Sequence, residues 1–153
     1  MVWSGQAPAE AAEASLVVSR TERRHVAGFM ARQFFSRMPK QGRDAIAEAT
    51  AAGSHTLWTV GPPRSPEAAV MLVEQSGAVG LFNLCVRPDL RRKGLGAGIV
   101  RAVQRSAAGL GRPVVLQCEP ELAPWYARLG FEPVGTVEAL TRSHVESGDI
   151  LTE

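Results

Sequence analysis

Arg87, Arg91, Arg92 and Lys93 lie within seven positions, and only Asp89 opposes them. They belong to the run R-P-D-L-R-R-K-G-L-G over residues 87–96. These residue types suit an anion. Gly94 and Gly96 let a ligand approach the backbone and tolerate positive φ. A helix that begins there turns the unpaired N–H groups of its first turn, and the positive end of its dipole, toward that ligand. Guanidinium and ammonium groups add charge-assisted hydrogen bonds. A pyrophosphate meets this description, and so does a solvated surface turn. A P-loop is excluded, because G-x-x-x-x-G-K-[ST] is absent. A dinucleotide site shares the order of strand, Gly-x-Gly, helix, strand and acid (Glu119). However, seven residues separate Val86 from Gly94 where a tight turn is needed, and Ile99 stands where the third glycine belongs.

The second chemical segment runs E-P-E-L-A-P-W-Y-A-R-L-G-F over residues 119–131. Trp125 reads as a core aromatic. Tyr126, the single tyrosine of the chain, points about 100° away from it on a helix. A phenol titrates near ~10 and can give a proton to a leaving thiolate or alkoxide. Taken alone, a packed tyrosine is the simpler reading.

To position these residues the chain needs a strand before the loop and a helix after it. Residues 78–86 read as that strand, antiparallel to 69–74 through a turn at Ser76-Gly77. Helical period returns over 95–108, with Leu95, Ile99, Val100, Val103 and Leu110 inward and Arg101, Gln104 and Arg105 outward. Residues 114–118 form a strand, 121–129 a short helix with Gly130 at C′, and 131–140 a last strand region. Upstream, 16–18 and 57–60 are strands. A helix runs from an N-cap at Thr21 toward Pro39, and a second spans 44–52. Residues 1–15 lack an apolar period and read as a flexible N-terminal arm or a weak helix, leaving 16–153 as one domain.

Together, R-x-x-G-x-G at Arg91, Gly94 and Gly96, followed by Tyr126, Leu129, Gly130 and Phe131 in W-Y-x-x-L-G-F, resemble the GNAT superfamily of acyl-CoA N-acyltransferases. The stretch 84–89 resembles that family's strand-four ending. The resemblance runs from about residue 69 to 135, and the element order extends it back to about residue 16. It implies an α/β fold with a mixed sheet whose fourth and fifth strands, here 78–86 and 114–118, splay around an acyl-CoA cleft. It further implies that acetyl-CoA is the cosubstrate. Arg91, Arg92, Lys93, Gly94, Leu95 and Gly96 would hold its pyrophosphate, and Leu84, Cys85 and Val86 its pantetheine. The Val86 N–H would polarise the thioester carbonyl, and Tyr126 would protonate the CoA thiolate. The implied reaction is acetyl transfer to a primary amine, on a small molecule or a protein, by direct attack. One part is missing: members that carry a glutamate base on strand four place it where this chain has Gly80. Glu74, Glu119 and His55 are the replacements considered, each acting through water. A non-catalytic acyl-CoA-binding module and a dinucleotide-binding domain remain the alternatives. Apolar Met30, Phe34, Phe35, Met38 and Trp58 are candidates for an acceptor pocket as well as for core.

Composition bounds the rest. Seventeen basic residues, fifteen of them arginine, face fifteen acidic ones for a net charge of +2. That is weaker than the basic footprint of a nucleic-acid binder. Two cysteines exclude a disulfide scaffold and a four-cysteine zinc site. Cys85 and Cys118 read as small buried residues, and no metal is expected. No apolar run reaches the ~18 residues of a membrane span, and the opening M-V-W-S-G-Q-A-P-A-E lacks a signal-peptide pattern. A cytoplasmic chain with reduced thiols, no membrane partner and a possible homodimer through its last strand is the expectation.

Overall fold

In the computed structural model, residues 1–9, 13–16, 19–75 and 77–138 are described. A six-stranded mixed sheet has the order β1-β6-β5-β4-β3-β2, with β1 Val2–Trp3, β2 Ser15–Leu16, β3 Thr56–Val60, β4 Ala68–Gln75, β5 Ala78–Val86 and β6 Val114–Leu116. Among the described residues only the β5–β6 pair is parallel. Helices α1 (Arg20–Phe34) and α2 (Lys40–Ala52) precede β3, while α3 (Leu95–Gly109) crosses over from β5 to β6 and α4 (Ala123–Ala127) follows β6. Because β1 enters the sheet first, the strands expected to splay, the fourth and fifth, are β5 and β6 here.

Two apolar layers sandwich the sheet. On one face Val70, Leu72, Val79, Leu81, Val114 and Leu116 meet Ile99, Val100 and Val103 of α3, with Tyr126 and Phe131. On the other, Leu57, Ala69 and Cys85 meet Val26, Phe29 and Met30 of α1. The alternation that a half-buried strand requires shifts phase within β5. Ala68 opposes Val86 and Ala69 opposes Cys85, but Met71 opposes Phe82, so Val70 faces both Asn83 and Leu84. This is a β-bulge. Asn83, at φ 50, is the residue type that tolerates the left-handed region best after glycine. Before the bulge Val79 and Leu81 face α3. After it, Leu84 and Val86 do, and Cys85 faces α1.

Several expectations are corrected. Residues 1–3 are not a loose arm: Val2 and Trp3 pair with Val115 and Val114, and Trp3 is buried. Aromatic burial outweighs the missing period, and Arg105 holds the segment further by donating to the Pro8 and Ala9 carbonyls. The first helix is capped by Ser19, whose Oγ accepts from the Glu22 N–H, not by Thr21, and ends at Phe34. The second begins at Lys40 rather than Asp44. Gln104 is buried instead of outward, because its Nε2 donates to the Leu129 carbonyl. Leu110, past the end of α3, is exposed. Among the described residues beyond Phe131 there is a single bridge, Val2 with Glu132, and no strand over 133–138. Val2 takes the pairing edge that a last strand would need. The remainder of that expected strand, the tail proposed for a dimer, and residues 17–18 lie outside the described residues.

Candidate active site

The parallel register pairs Val79, Gly80 and Leu81 with Val114, Val115 and Leu116 and stops there, while β5 continues five residues to Val86. The two strands therefore part beyond Leu81. The N–H of Arg87 donates to the Glu67 carbonyl, so that peptide unit turns its other end, the Val86 carbonyl, away from β4. In extended backbone the Val86 N–H points the same way as its carbonyl, into the gap. Arg91 Nε donates to the Val86 carbonyl at 3.2 Å, which places the guanidinium stem across the mouth.

The loop from β5 to α3 begins with a 3-10 turn, Pro88–Leu90. Arg87 donates to Asp89 at 2.8 Å, and this contact raises the arginine pKa and lowers that of the aspartate. These two charges answer each other, leaving Arg91, Arg92 and Lys93 as the exposed cations of the loop. Arg92 (φ 62) and Gly94 (φ 84) adopt left-handed backbone. At Arg92 this conformation is uncommon for a non-glycine residue; at Gly94 it serves the N-cap of α3, which has no side-chain cap. The Gly94 carbonyl accepts from the Gly98 N–H, so the N–H groups of Leu95, Gly96 and Ala97 open the helix without intrahelical partners. A Cβ at Gly94 would meet nothing within 4 Å. The geometry is that of an anion cradle at the wide end of the gap.

Gly96 joins the two motifs. A Cβ there would lie 3.6 Å from both the Val86 side chain and the Trp125 ring. Trp125 in turn packs edge-on against Tyr126, with ring centroids 4.7 Å apart, and Tyr126 against Phe131 at 5.6 Å. Trp125 is thus half-buried between cradle and tyrosine, a bridging role its residue type alone did not reveal. Tyr126 is 6% exposed, so its ring is fixed. Burial and then the nearby Cys118 push its phenol up to about 12. Cys85 is buried behind the gap, and burial pushes its thiol up to about 12, which makes it inert as a nucleophile.

Position 80, where a strand-four base would stand, is filled differently. A Cβ on Gly80 would lie 2.6 Å from the Phe82 ring, which covers it. Glu74 pairs with Val79, and His55 adjoins Thr56, the start of β3. Both therefore sit at the opposite end of the sheet, seven residues or roughly 20 Å from Val86. They line a cavity of about 360 Å³ with Ser54, Thr56 and Val73. Glu119 is exposed, three residues past the end of β6 and just before the 3-10 turn Pro120–Leu122. Phe34 and Phe35 are partly exposed, Met30 is core, and Met38 and Trp58 are half-buried. His25 is exposed and His144 lies outside the described residues. Among the described residues no three His, Cys, Asp or Glu side chains gather as a metal site, and no helix is long and apolar enough to cross a membrane.

Known proteins share this architecture. A GCN5-related N-acetyltransferase from Ralstonia eutropha JMP134 superposes with a TM-score of 0.61 at 19% identity, over 84% of this chain and 97% of that one. The aminoglycoside acetyltransferase AAC(6')-Iy, solved with a CoA-S-monomethyl-acetylneamine bisubstrate analogue, gives 0.61 at 18% identity over 85% and 97%. A predicted acetyltransferase from Clostridium acetobutylicum, solved with acetyl-CoA, gives 0.62 at 13% over 84% and 96%. Among curated proteins none matches the sequence. At these identities the structures establish the fold. The family follows from sequence: the acetyltransferase (GNAT) domain family matches residues 57–133, half of the chain, and covers the bulged strand, the cradle, Trp125 and Tyr126, so the chain belongs to the GNAT acetyltransferases.

Proposed function

We propose that the chain transfers an acetyl group from acetyl-CoA to a primary amine by direct attack. The observation that carries this reading is the gap between β5 and β6, with a cationic cradle at its mouth and a fixed tyrosine beside it. Arg91, Arg92, Lys93 and the N–H groups from Gly94 to Gly96 suit a pyrophosphate. Leu84, Cys85 and Val86 offer a strand edge to an extended pantetheine amide chain, and a ligand there would displace Arg91 from the Val86 carbonyl. The Val86 N–H suits the oxygen of a thioester carbonyl, where negative charge grows as the amine adds.

In this scheme the amine nitrogen forms the new C–N bond and the thioester oxygen becomes the oxyanion. Its collapse breaks the C–S bond and releases the thiolate. A phenol near pKa 12 is a weaker acid than a free thiol (~8.5), so full transfer from Tyr126 to the thiolate is uphill unless the phenol is re-protonated as it gives. The tetrahedral nitrogen, which must shed a proton, supplies it. Tyr126 then works as a proton relay held in its neutral form throughout the physiological range.

The test is turnover: CoA release from acetyl-CoA with a panel of primary amines (polyamine, aminosugar, lysine peptide). Release stimulated by any amine supports the enzyme. Tight acetyl-CoA binding with no stimulated release would favour the non-catalytic binding module.

A further inference from the structure

Beyond Leu81 the edge of β5 that faces β6 has no strand partner among the described residues. A backbone carbonyl on such an edge takes another donor or water. At Val86 the donor is Arg91, whose Nε reaches the carbonyl at 3.2 Å. Among the described residues this is the only hydrogen bond of the Arg91 side chain, and no carboxylate pairs with it. The residue is exposed. The backbone beneath it is pinned, since the Leu90 and Arg91 N–H groups donate to the Arg87 and Pro88 carbonyls at 2.9 and 3.3 Å. The side chain can therefore swing while the turn stays. Arg92, on left-handed backbone (φ 62), and Lys93 make no such bond to the strand. Arg91 alone of the three cations stands on a carbonyl that a pantetheine amide would use, just before the N–H groups that suit a pyrophosphate.

We propose that Arg91 is a latch that sets donor selectivity: it caps the Val86 carbonyl in the free protein and yields it when a diphosphate takes its guanidinium. The inference rests on the acetyl-CoA reading above and adds to it a choice among thioesters. A diphosphate offers the guanidinium paired, charge-assisted hydrogen bonds, which outweigh one bond to a neutral carbonyl. A pantetheine without a diphosphate offers the carbonyl an amide N–H and offers the guanidinium nothing. It must break the latch without return, whereas a CoA thioester opens the latch with one half and occupies the freed edge with the other. The two halves of the donor are thus coupled through one side chain. Such coupling is reciprocal: free pyrophosphate must tighten pantetheine binding by the factor that pantetheine tightens pyrophosphate binding.

The experiment titrates S-acetylpantetheine, a neutral thioester without a diphosphate, into wild type, Arg91→Met and Arg92→Met. Amide resonances report binding, with and without saturating inorganic pyrophosphate, and acetyl-CoA serves as the reference ligand. Methionine keeps an unbranched stem and removes the donors and the charge. In wild type, pyrophosphate should tighten S-acetylpantetheine about fivefold, the net worth of one hydrogen bond. Arg91→Met should bind S-acetylpantetheine about fivefold more tightly than wild type without pyrophosphate, and pyrophosphate should add nothing. Arg92→Met, which loses a cation and keeps the cap, should behave as wild type on S-acetylpantetheine and retain the coupling. Equal S-acetylpantetheine affinity in wild type and Arg91→Met, no binding to either included, would overturn the latch. So would an equal gain in Arg92→Met, which would trace the effect to net charge, or coupling that persists in Arg91→Met. A wild type that does not bind acetyl-CoA overturns the acetyl-CoA reading itself, which is a different result.

Discussion

The two ends of the central strands carry similar polar side chains on backbones in opposite states. At the far end the backbone is closed. Arg23 donates Nε to the Ala51 carbonyl at 2.9 Å and Nη2 to those of Gly53 and His55 at 2.8 and 3.0 Å, tying α1 to the turn before β3. Arg112 pairs with Glu74 at 3.2 Å. His55 lies against Gly53 so closely that a Cβ there would sit 2.4 Å from the ring. At the gap end the strands part, and the Val86 N–H and the first turn of α3 face outward. A histidine, a glutamate and an arginine therefore tie structure together at one end, while at the other, where the site is proposed, the backbone diverges. Residue type nominates a site, and the backbone groups left without partners decide it.

Substitutions at the two ends should separate binding from stability. The largest effect is expected for Gly96→Glu. Its Cβ fits at ordinary contact distance, but a carboxylate enters the cradle. Like charges placed together cost several kcal/mol, so CoA affinity should fall more than ~10²-fold in calorimetric titration while the melting curve stays cooperative. Unchanged affinity would reduce the loop to a surface turn. Tyr126→Phe comes next: the ring stays packed, CoA binding should hold, and kcat should drop about 10²-fold, the low end for general acid catalysis. Normal turnover would make Tyr126 a packing residue. Arg23→Ala should do the converse, costing about 2 kcal/mol in urea unfolding as carbonyls lose a charged donor, with CoA affinity unchanged. A loss of CoA affinity would mean that the two ends are coupled.

A pH dependence follows from two buried acids. Tyr126 and Cys85 both titrate near 12 when folded, against ordinary values of 10.0 and 9.0. The unfolded chain releases these protons first, so stability is fully present below about pH 9 and falls as pH rises from there toward 12. Cys85→Ala should flatten the lower part of that slope in urea midpoints taken at successive pH values. An unchanged slope would remove the thiol from the account.

The elements around the 87–96 loop were legible because they are local: a hairpin read from alternation ends at Val86, and glycines read as a helix start sit at the head of α3. The bulge was not read, because 78–86 reads as one uninterrupted strand even though the apolar alternation of Val79 and Leu81 changes phase to Leu84 and Val86 across Asn83. What was not legible depends on distant partners. Trp3 is buried because β6 and Gly130 lie beside it, and its indole is 3.2 Å from where a Gly130 Cβ would be. Gln104 is buried because the Leu129 carbonyl needs a donor. The distance of Glu74 and His55 from Val86 became visible only once register assigned them to the closed end.

If the opening between β5 and β6 receives CoA, a crystal structure with CoA will show it there. Thermal protection orients the experiment: a ligand at ~100 times its dissociation constant adds ~2.7 kcal/mol, expected with acetyl-CoA and not with NAD. In the crystal, the pyrophosphate should lie on the N–H groups of residues 94–96, the pantetheine along Leu84–Val86, and the sulfur beside the Tyr126 hydroxyl. CoA bound elsewhere, NAD occupying the cradle, or a sulfur facing away from Tyr126 would contradict the account.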